Sequence, residues 1–123
     1  GARGPRHYPA AHAIPGLVAV SALSQSLEGW APARFTTWGD YVDLAAPGDT
    51  ITSGAPGGGY YSYSGTSFAA PIVAGALALW REANPSSSPA SIEKQVKQHA
   101  IPLPFPREAV GAGMLDLSEA PAP

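Results

Sequence analysis

From Phe68 to Trp80 the chain runs for about 13 residues without one polar side chain, and this stretch holds Pro71 and Gly75. A membrane-spanning helix needs about 20 apolar residues, so the run is too short to cross a bilayer and reads as a core helix. Gly65-Thr66-Ser67 stand before it and Arg81-Glu82 and Asn84-Pro85 close it, which predicts a helix from Thr66 to about Ala83. Pro71 is tolerable if it lies in the first turn or so, where a missing N–H loses little. A helix that is apolar all round must be covered all round, so the fold has to be layered about it. Alanine and glycine dominate it, which lets other elements approach closely.

The flanking segments predict those layers. Leu17–Leu23 is a continuous, valine-containing apolar run, the pattern of a strand buried on both faces of a parallel sheet. Asp40–Ala45 predicts a second strand, stopped by Pro47-Gly48, and Asp49–Ser53 a third. Gly57-Gly58-Gly59 followed by Tyr60, Tyr61 and Tyr63 reads as a hairpin. No Gly-Lys-Ser/Thr follows the glycines, so a phosphate-binding loop is not indicated. Residues 24–37 read as mixed loop, with Trp30 covering an apolar edge. A second helix starts at Ser88 as N-cap and Pro89 as first helical residue, with Ile92, Val96 and His99 on one stripe. Pro102, Pro104 and Pro106 stop it, and Leu115–Leu117 forms a final strand or terminal cover. Strands alternating with helices give an α/β class. Parallel strands buried on both faces need more helices than these 123 residues contain, so the chain alone is expected to leave sheet edges and apolar surface uncovered.

Ser67 is delivered by a glycine turn to the first turn of the apolar helix. Unpaired backbone N–H groups and the positive end of the helix dipole lie there, a place suited to a nucleophile whose reaction builds charge on oxygen. The alternative is an ordinary helix start with Thr66 or Ser67 as N-cap. The longer motif Gly65-Thr66-Ser67-Phe68-Ala69-Ala70-Pro71, with Val73-Ala74-Gly75-Ala76 after it, closely resembles the nucleophile motif of the subtilisin-like serine proteases. Tyr8-Pro9-Ala10 leading into Leu17–Ala22, Phe35–Gly39 with Val42–Gly48, and Gly111–Asp116 resemble further segments of that family in the same order. The resemblance runs from about residue 7 to about residue 118. It implies the C-terminal half of a three-layer subtilisin-like fold, with a mostly parallel sheet and a central helix carrying the serine. The implied organisation is a flexible start over 1–6, the catalytic-domain part over 7–118, and a Pro/Ala tail over 119–123.

The resemblance implies Ser67 as catalytic serine, acting by peptide-bond hydrolysis through an acyl-enzyme. It implies Gly65 and Thr66 beside the oxyanion site and a substrate pocket bordered by His7, Tyr8, Pro9, Tyr63 and Phe68. His7 falls where the family places the bottom of the pocket for the side chain before the scissile bond. Tyr63 and Phe68 border the leaving-group side or simply pack. Phe68 stands where the family often has methionine, and a phenyl ring cannot form a sulfoxide.

A Ser-His-Asp protease also needs a general base and a carboxylate to orient it. No Asp-Thr-Gly, Asp-Ser-Gly or His-Gly-Thr stretch occurs, and the only asparagine is Asn84. Of the three histidines, His99 ends the second helix, where a cation suits the dipole, and His12 lies in a loop. The expected partner is therefore the N-terminal chain of the same precursor, bearing Asp, His and the oxyanion Asn. The Gly/Pro/Arg-rich start over residues 1–6 suits a processing cut, and peptide or protein is the expected substrate. The competing readings are a catalytically inactive scaffold of the same fold that binds a partner, and an esterase or peptide ligase using the same serine.

Charge adds exclusions. Seven Lys+Arg against nine Asp+Glu give a net charge of −2, so no basic surface suggests nucleic acid, and no span suggests a membrane. With no cysteine, a partner chain would be held without disulfides. Asp40, Asp43 and Asp49 are scattered and form no calcium loop motif, which reads as turn and strand-end solvation. Calcium enters through the resemblance alone, with carbonyls after Tyr8-Pro9-Ala10 as donors. Secretion or the cell envelope is the location the resemblance implies.

Overall fold

A computed structural model describes residues 2–118 and 120. Apart from Ala120, which packs on the core, the Pro/Ala tail expected at 119–123 lies outside the described residues. Ala2–Arg3 (β1), in the stretch expected to be a flexible start, pairs in parallel with Thr37–Trp38. Val20–Ser26 (β2) turns into the antiparallel Gly29–Pro32 (β3), so the stretch expected to be loop is instead a hairpin. The apolar run of β2 disguises its polar continuation Ser24-Gln25-Ser26, which leaves the core and pairs at its edge. Thr37–Trp38 is β4, and Leu44–Pro47 (β5) pairs in parallel with β2, Val20 facing Leu44 and Leu23 facing Pro47. Ile51–Gly54 (β6) and Tyr60–Tyr63 (β7) form the expected antiparallel hairpin, with Gly57, Gly58 and Gly59 all at positive φ in its turn.

Three helices follow: Thr66–Ala83 (α1), Pro89–Gln98 (α2) and the one-turn Arg107–Val110 (α3). The Ser88 hydroxyl caps α2 by accepting from the Ser91 N–H, and Pro89 takes the first turn, as the sequence predicts. The sequence carries no clear sign of α3, since Pro102-x-Pro104-x-Pro106 masks its Pro-initiated turn. The expected terminal strand is reduced to isolated bridges from Met114 to Ala45 and Ile101.

The sheet order β3-β2-β5 is buried on both faces at its centre. Alternation along the strands sends Ala22, Leu44 and Ala46 to the α1 side, where they meet Ala69, Val73, Ala76 and Trp80, with Ile92 and Val96 of α2 behind. Leu23 and Ala45 face the other way, against Ala109 and Val110 of α3. The Ser21 hydroxyl, pointing to that second side, donates to the Ala109 carbonyl at 2.7 Å. Leu23, Leu44 and Val73 are fully buried, each contributing about 1.5–3 kcal/mol of hydrophobic stabilisation.

α1 is not covered all round by the described residues. Ser67, Ala70, Pro71, Ala74, Gly75, Ala78 and Leu79 are exposed along one side from its first turn to its last. The helix is apolar on every face, yet the elements present cover only one. Pro71 also lies deeper than expected, in the second turn. Its nitrogen cannot donate to the carbonyl four residues back, that of Ser67.

Candidate active site

The first turn of α1 is placed by one close approach. Gly48, directly after β5, accepts from the Gly65 N–H at 2.7 Å. A Cβ at Gly48 would stand 2.6 Å from Ala22 Cβ and 3.2 Å from Ala69 Cβ. The missing side chain is what lets the strand exit, the sheet and the helix start converge.

Gly65 is the N-cap of α1, and no side chain caps the helix. The capping alternative for Thr66 and Ser67 is thus not what the structure adopts. A glycine N-cap costs only about a few tenths of a kcal/mol relative to a side-chain cap. It leaves N–H groups at the helix start open beside Ser67, and Ser67 is exposed. A developing negative charge there would meet free donors and the positive dipole end.

Thr66 and His7 line one recess of about 210 Å³, together with Ala19, Val20 and Phe35. Two segments far apart in sequence are thereby brought beside the candidate nucleophile. Tyr8 and Pro9 are exposed next to it, and the Tyr8–Pro9 peptide is cis. Tyr8 and His12 hold their rings 4.7 Å apart. On the opposite side of the turn, Tyr63 and Phe68 stack with centroids 5.1 Å apart and planes 7° from parallel. Both rings are half-buried, so each packs on the other and still presents an edge to solvent.

The two remaining histidines pack against aromatic rings. His99 packs on Trp80 at 4.8 Å, and its Nδ1 lies 2.8 Å from the Gln95 carbonyl oxygen. Trp80 is about 20 Å beyond Ser67 along α1, at 1.5 Å per residue. His12 is occupied beside Tyr8.

For Asp43 the reading as a solvated strand-end residue is corrected, while Asp40 stays exposed and Asp49 partly exposed at their turns, and both gain specific partners. Asp49 accepts from Ser64 Oγ at 2.5 Å and from Ser24 Oγ at 2.8 Å, while Ser64 Oγ accepts from the Thr50 N–H at 3.0 Å. Its hydrogen bonds from Ser64, then Ser24, hold its carboxyl below the usual range. Asp40 pairs with Arg6 at 2.7 Å. Asp43 accepts from Lys97 Nζ at 2.6 Å. Among the described residues no group of three or more His, Cys, Asp or Glu converges as metal ligands do.

An α/β layer with an exposed serine on the uncapped start of its longest helix, reached through a Gly-Thr-Ser turn, is the architecture of a subtilisin-like protein. The profile of the subtilase family (peptidase S8) matches residues 1–117, and the chain belongs to that family of serine proteases. It is 44% identical over 71 residues to alkaline elastase YaB of Bacillus sp. strain YaB, covering 58% of this chain and 19% of that protein. To subtilisin BL of Lederbergia lenta it is 41% identical over 96 residues, covering 78% of this chain and 34% of that one. The crystal structure of fervidolysin from Fervidobacterium pennivorans, a keratinolytic enzyme related to subtilisin, superposes with a TM-score of 0.82 at 28% identity. That match takes in 97% of this chain and 21% of fervidolysin. The chain thus spans from about a fifth to a third of these three relatives.

Proposed function

We propose that this chain carries the nucleophile of a serine endopeptidase, and that the rest of the catalytic set comes from the N-terminal part of the same catalytic domain. Ser67 Oγ attacks the peptide carbonyl. A histidine from the N-terminal part takes its proton and passes it to the leaving amine, oriented by an aspartate. The tetrahedral oxygen is held by the Ser67 N–H and the side chain of an asparagine from that same part, with Thr66 beside it. The acyl-enzyme on Ser67 is then hydrolysed by water. His7, Tyr8 and Pro9 border the pocket for the side chain before the scissile bond, and Tyr63 and Phe68 the leaving-group side.

The observation that carries this reading is the exposure of Ser67 on an uncapped helix start. The open apolar side of α1 supports it further: small side chains there leave room for closely packed elements of the N-terminal part. Whether that part arrives as a separate processed chain or in continuous sequence, the contact surface is the same.

Labelling with a fluorophosphonate tests the proposal. Adduct is expected on Ser67 when the N-terminal part is present, and none on this chain alone or on Ser67→Ala. Labelling of this chain alone would overturn the shared site. No labelling and no peptide hydrolysis by the whole domain would leave the fold as a binding scaffold.

A further inference from the structure

The loop after Tyr8-Pro9-Ala10, whose carbonyls the family resemblance offers to calcium, borders a recess of about 460 Å³. Three carboxylates face that recess: Asp40, Asp43 and Glu93. A dication would need their oxygens free. They are not free. Arg6 Nη2 donates to Asp40 Oδ2 at 2.7 Å. Lys97 Nζ donates to Asp43 Oδ1 and to Glu93 Oε1, both at 2.6 Å. The second oxygen of Asp43 accepts from the Ala19 N–H at 2.9 Å. Arg107 adds another positive charge to the wall. The carboxylates at this place are therefore not available to calcium.

We propose that the Lys97 ammonium is a tethered substitute for a bridging cation, binding Asp43 and Glu93 together and making this junction independent of dissolved metal. The position explains why a cation is wanted there. Asp43 is a hub of the fold: its carbonyl accepts from the Ala112 N–H, its N–H donates to Ala19, and its carboxylate receives the start of β2. Lys97 and Glu93 are one turn apart on α2, so the ammonium fastens that helix to the edge where β2 and β5 begin. Its side chain is 26% exposed and those of its partners 23% and 20%, so the three charges are largely shielded from water. Partial burial pulls the Lys97 pKa down, but the hydrogen bonds and charges of Asp43 and Glu93 outweigh it, and the net shift is upward. The ammonium is therefore a permanent cation across the ordinary pH range.

The test uses the complete catalytic domain, N-terminal part included, with Ser67→Ala to prevent self-digestion. Melting is followed in chelator and in calcium chloride for the parent, Lys97→Met, Lys97→Arg and Asp43→Asn. In chelator, Lys97→Met is expected to melt about 2 °C below the parent, the shift that a lost partly shielded ion pair gives in a large domain. Calcium is expected to restore Lys97→Met beyond any rise it gives the parent, because Asp43 and Glu93 are then free for a dication. Lys97→Arg, which keeps a cation, should show no such extra response. Asp43→Asn should leave the parent's calcium response unchanged. A Lys97→Met melt equal to the parent in chelator, or one that calcium does not recover, overturns the proposal. So does a loss of the parent's calcium response in Asp43→Asn. Should Lys97→Met fail to fold, Asp43→Asn and Lys97→Arg decide. None of these readouts requires proteolysis, so they stand apart from the catalytic reading of Ser67.

Discussion

Ser64 Oγ donates to Asp49 Oδ1 at 2.5 Å, three residues before Ser67, and Ser24 at the end of β2 holds the other carboxylate oxygen. One exposed carboxylate thus ties the sheet, the start of β6 and the turn that presents the candidate nucleophile. The hydroxyls favour its charged form, so its pKa in the folded state lies below 3.8, the ordinary value it takes when unfolded. A depressed carboxylate adds stability that is fully present above the unfolded value and lost as pH falls through the folded one. Melting of the Ser67→Ala domain should therefore drop on acidification below pH 3.8, and Asp49→Asn should flatten part of that limb. Asp116, lowered by the Ser118 N–H and hydroxyl, has the same sign and accounts for part of the slope that remains. Acid limbs that superimpose in parent and variant would reject the Asp49 clamp.

The approach at Gly48 yields a prediction about stability. A methyl there meets Ala22 Cβ at 2.6 Å and the Gly65 carbonyl oxygen at 3.0 Å, with backbone on one side and the sheet on the other. Gly48→Ala should destabilise the domain by about 1–3 kcal/mol, the cost of overpacking a filled site. Gly54→Ala is the control: nothing lies within 4 Å of its Cβ, and the change should stay within about 0.5 kcal/mol. Urea midpoints of the two variants at constant m-value measure the difference. Equal midpoints would show that the strand exit gives way and that the contact does not set the position of α1.

These two cases mark how much the sequence discloses. The existence of α1 and α2 and their starts are legible, because an unbroken apolar run and a Ser-Pro cap are local signals. The β6–β7 hairpin was readable from three glycines and the tyrosines after them. The β2–β3 hairpin was not, since its polar arm Ser24-Gln25-Ser26 owes its conformation to a partner strand and not to its own composition. The motif pointed to Ser67, but the Ser24–Asp49–Ser64 clamp joins residues 25 and 15 positions apart whose types are ordinary turn formers. Lys97 and Asp43, 54 positions apart, carry no local mark of their pairing either. Such contacts belong to the tertiary fold.

His7 shares its recess with Thr66, the neighbour of Ser67, and on the proposed reading its side chain takes up volume a substrate group would use. Removing it in His7→Gly should favour larger apolar residues before the scissile bond. Pocket volume in apolar sites discriminates by about 1–3 kcal/mol per methylene-sized change, or roughly 10- to 200-fold. Comparison of kcat/KM for peptides with alanine and with phenylalanine at that position should move by at least about tenfold toward phenylalanine. An unchanged ratio would place His7 outside the pocket and leave it a surface residue of the turn.

The stacked pair Tyr63 and Phe68 leads to a prediction about oxidation. Phe68 follows Ser67 directly, and its ring lies flat on Tyr63 at 5.1 Å. Hydrogen peroxide converts methionine to a polar sulfoxide but leaves phenylalanine intact. On the proposed function, the complete domain with Phe68 should keep its peptidase activity through an exposure that inactivates Phe68→Met. Before oxidation the variant should lose no more than about 1.5 kcal/mol of stability, the worth of an aromatic pair beyond its buried area. Mass spectrometry of the treated variant locates the added oxygen, and Met114, the one native methionine, serves as the internal reference. Its side chain is half-buried away from the Ser67 turn, beside Ala45 and Ile101. If the native protein loses activity in step with oxidation of Met114, the sensitivity lies there and not next to the nucleophile. If Phe68→Met is oxidised at residue 68 and still cleaves peptides at the native rate, the ring does not border the reacting groups, and its role is packing against Tyr63 alone.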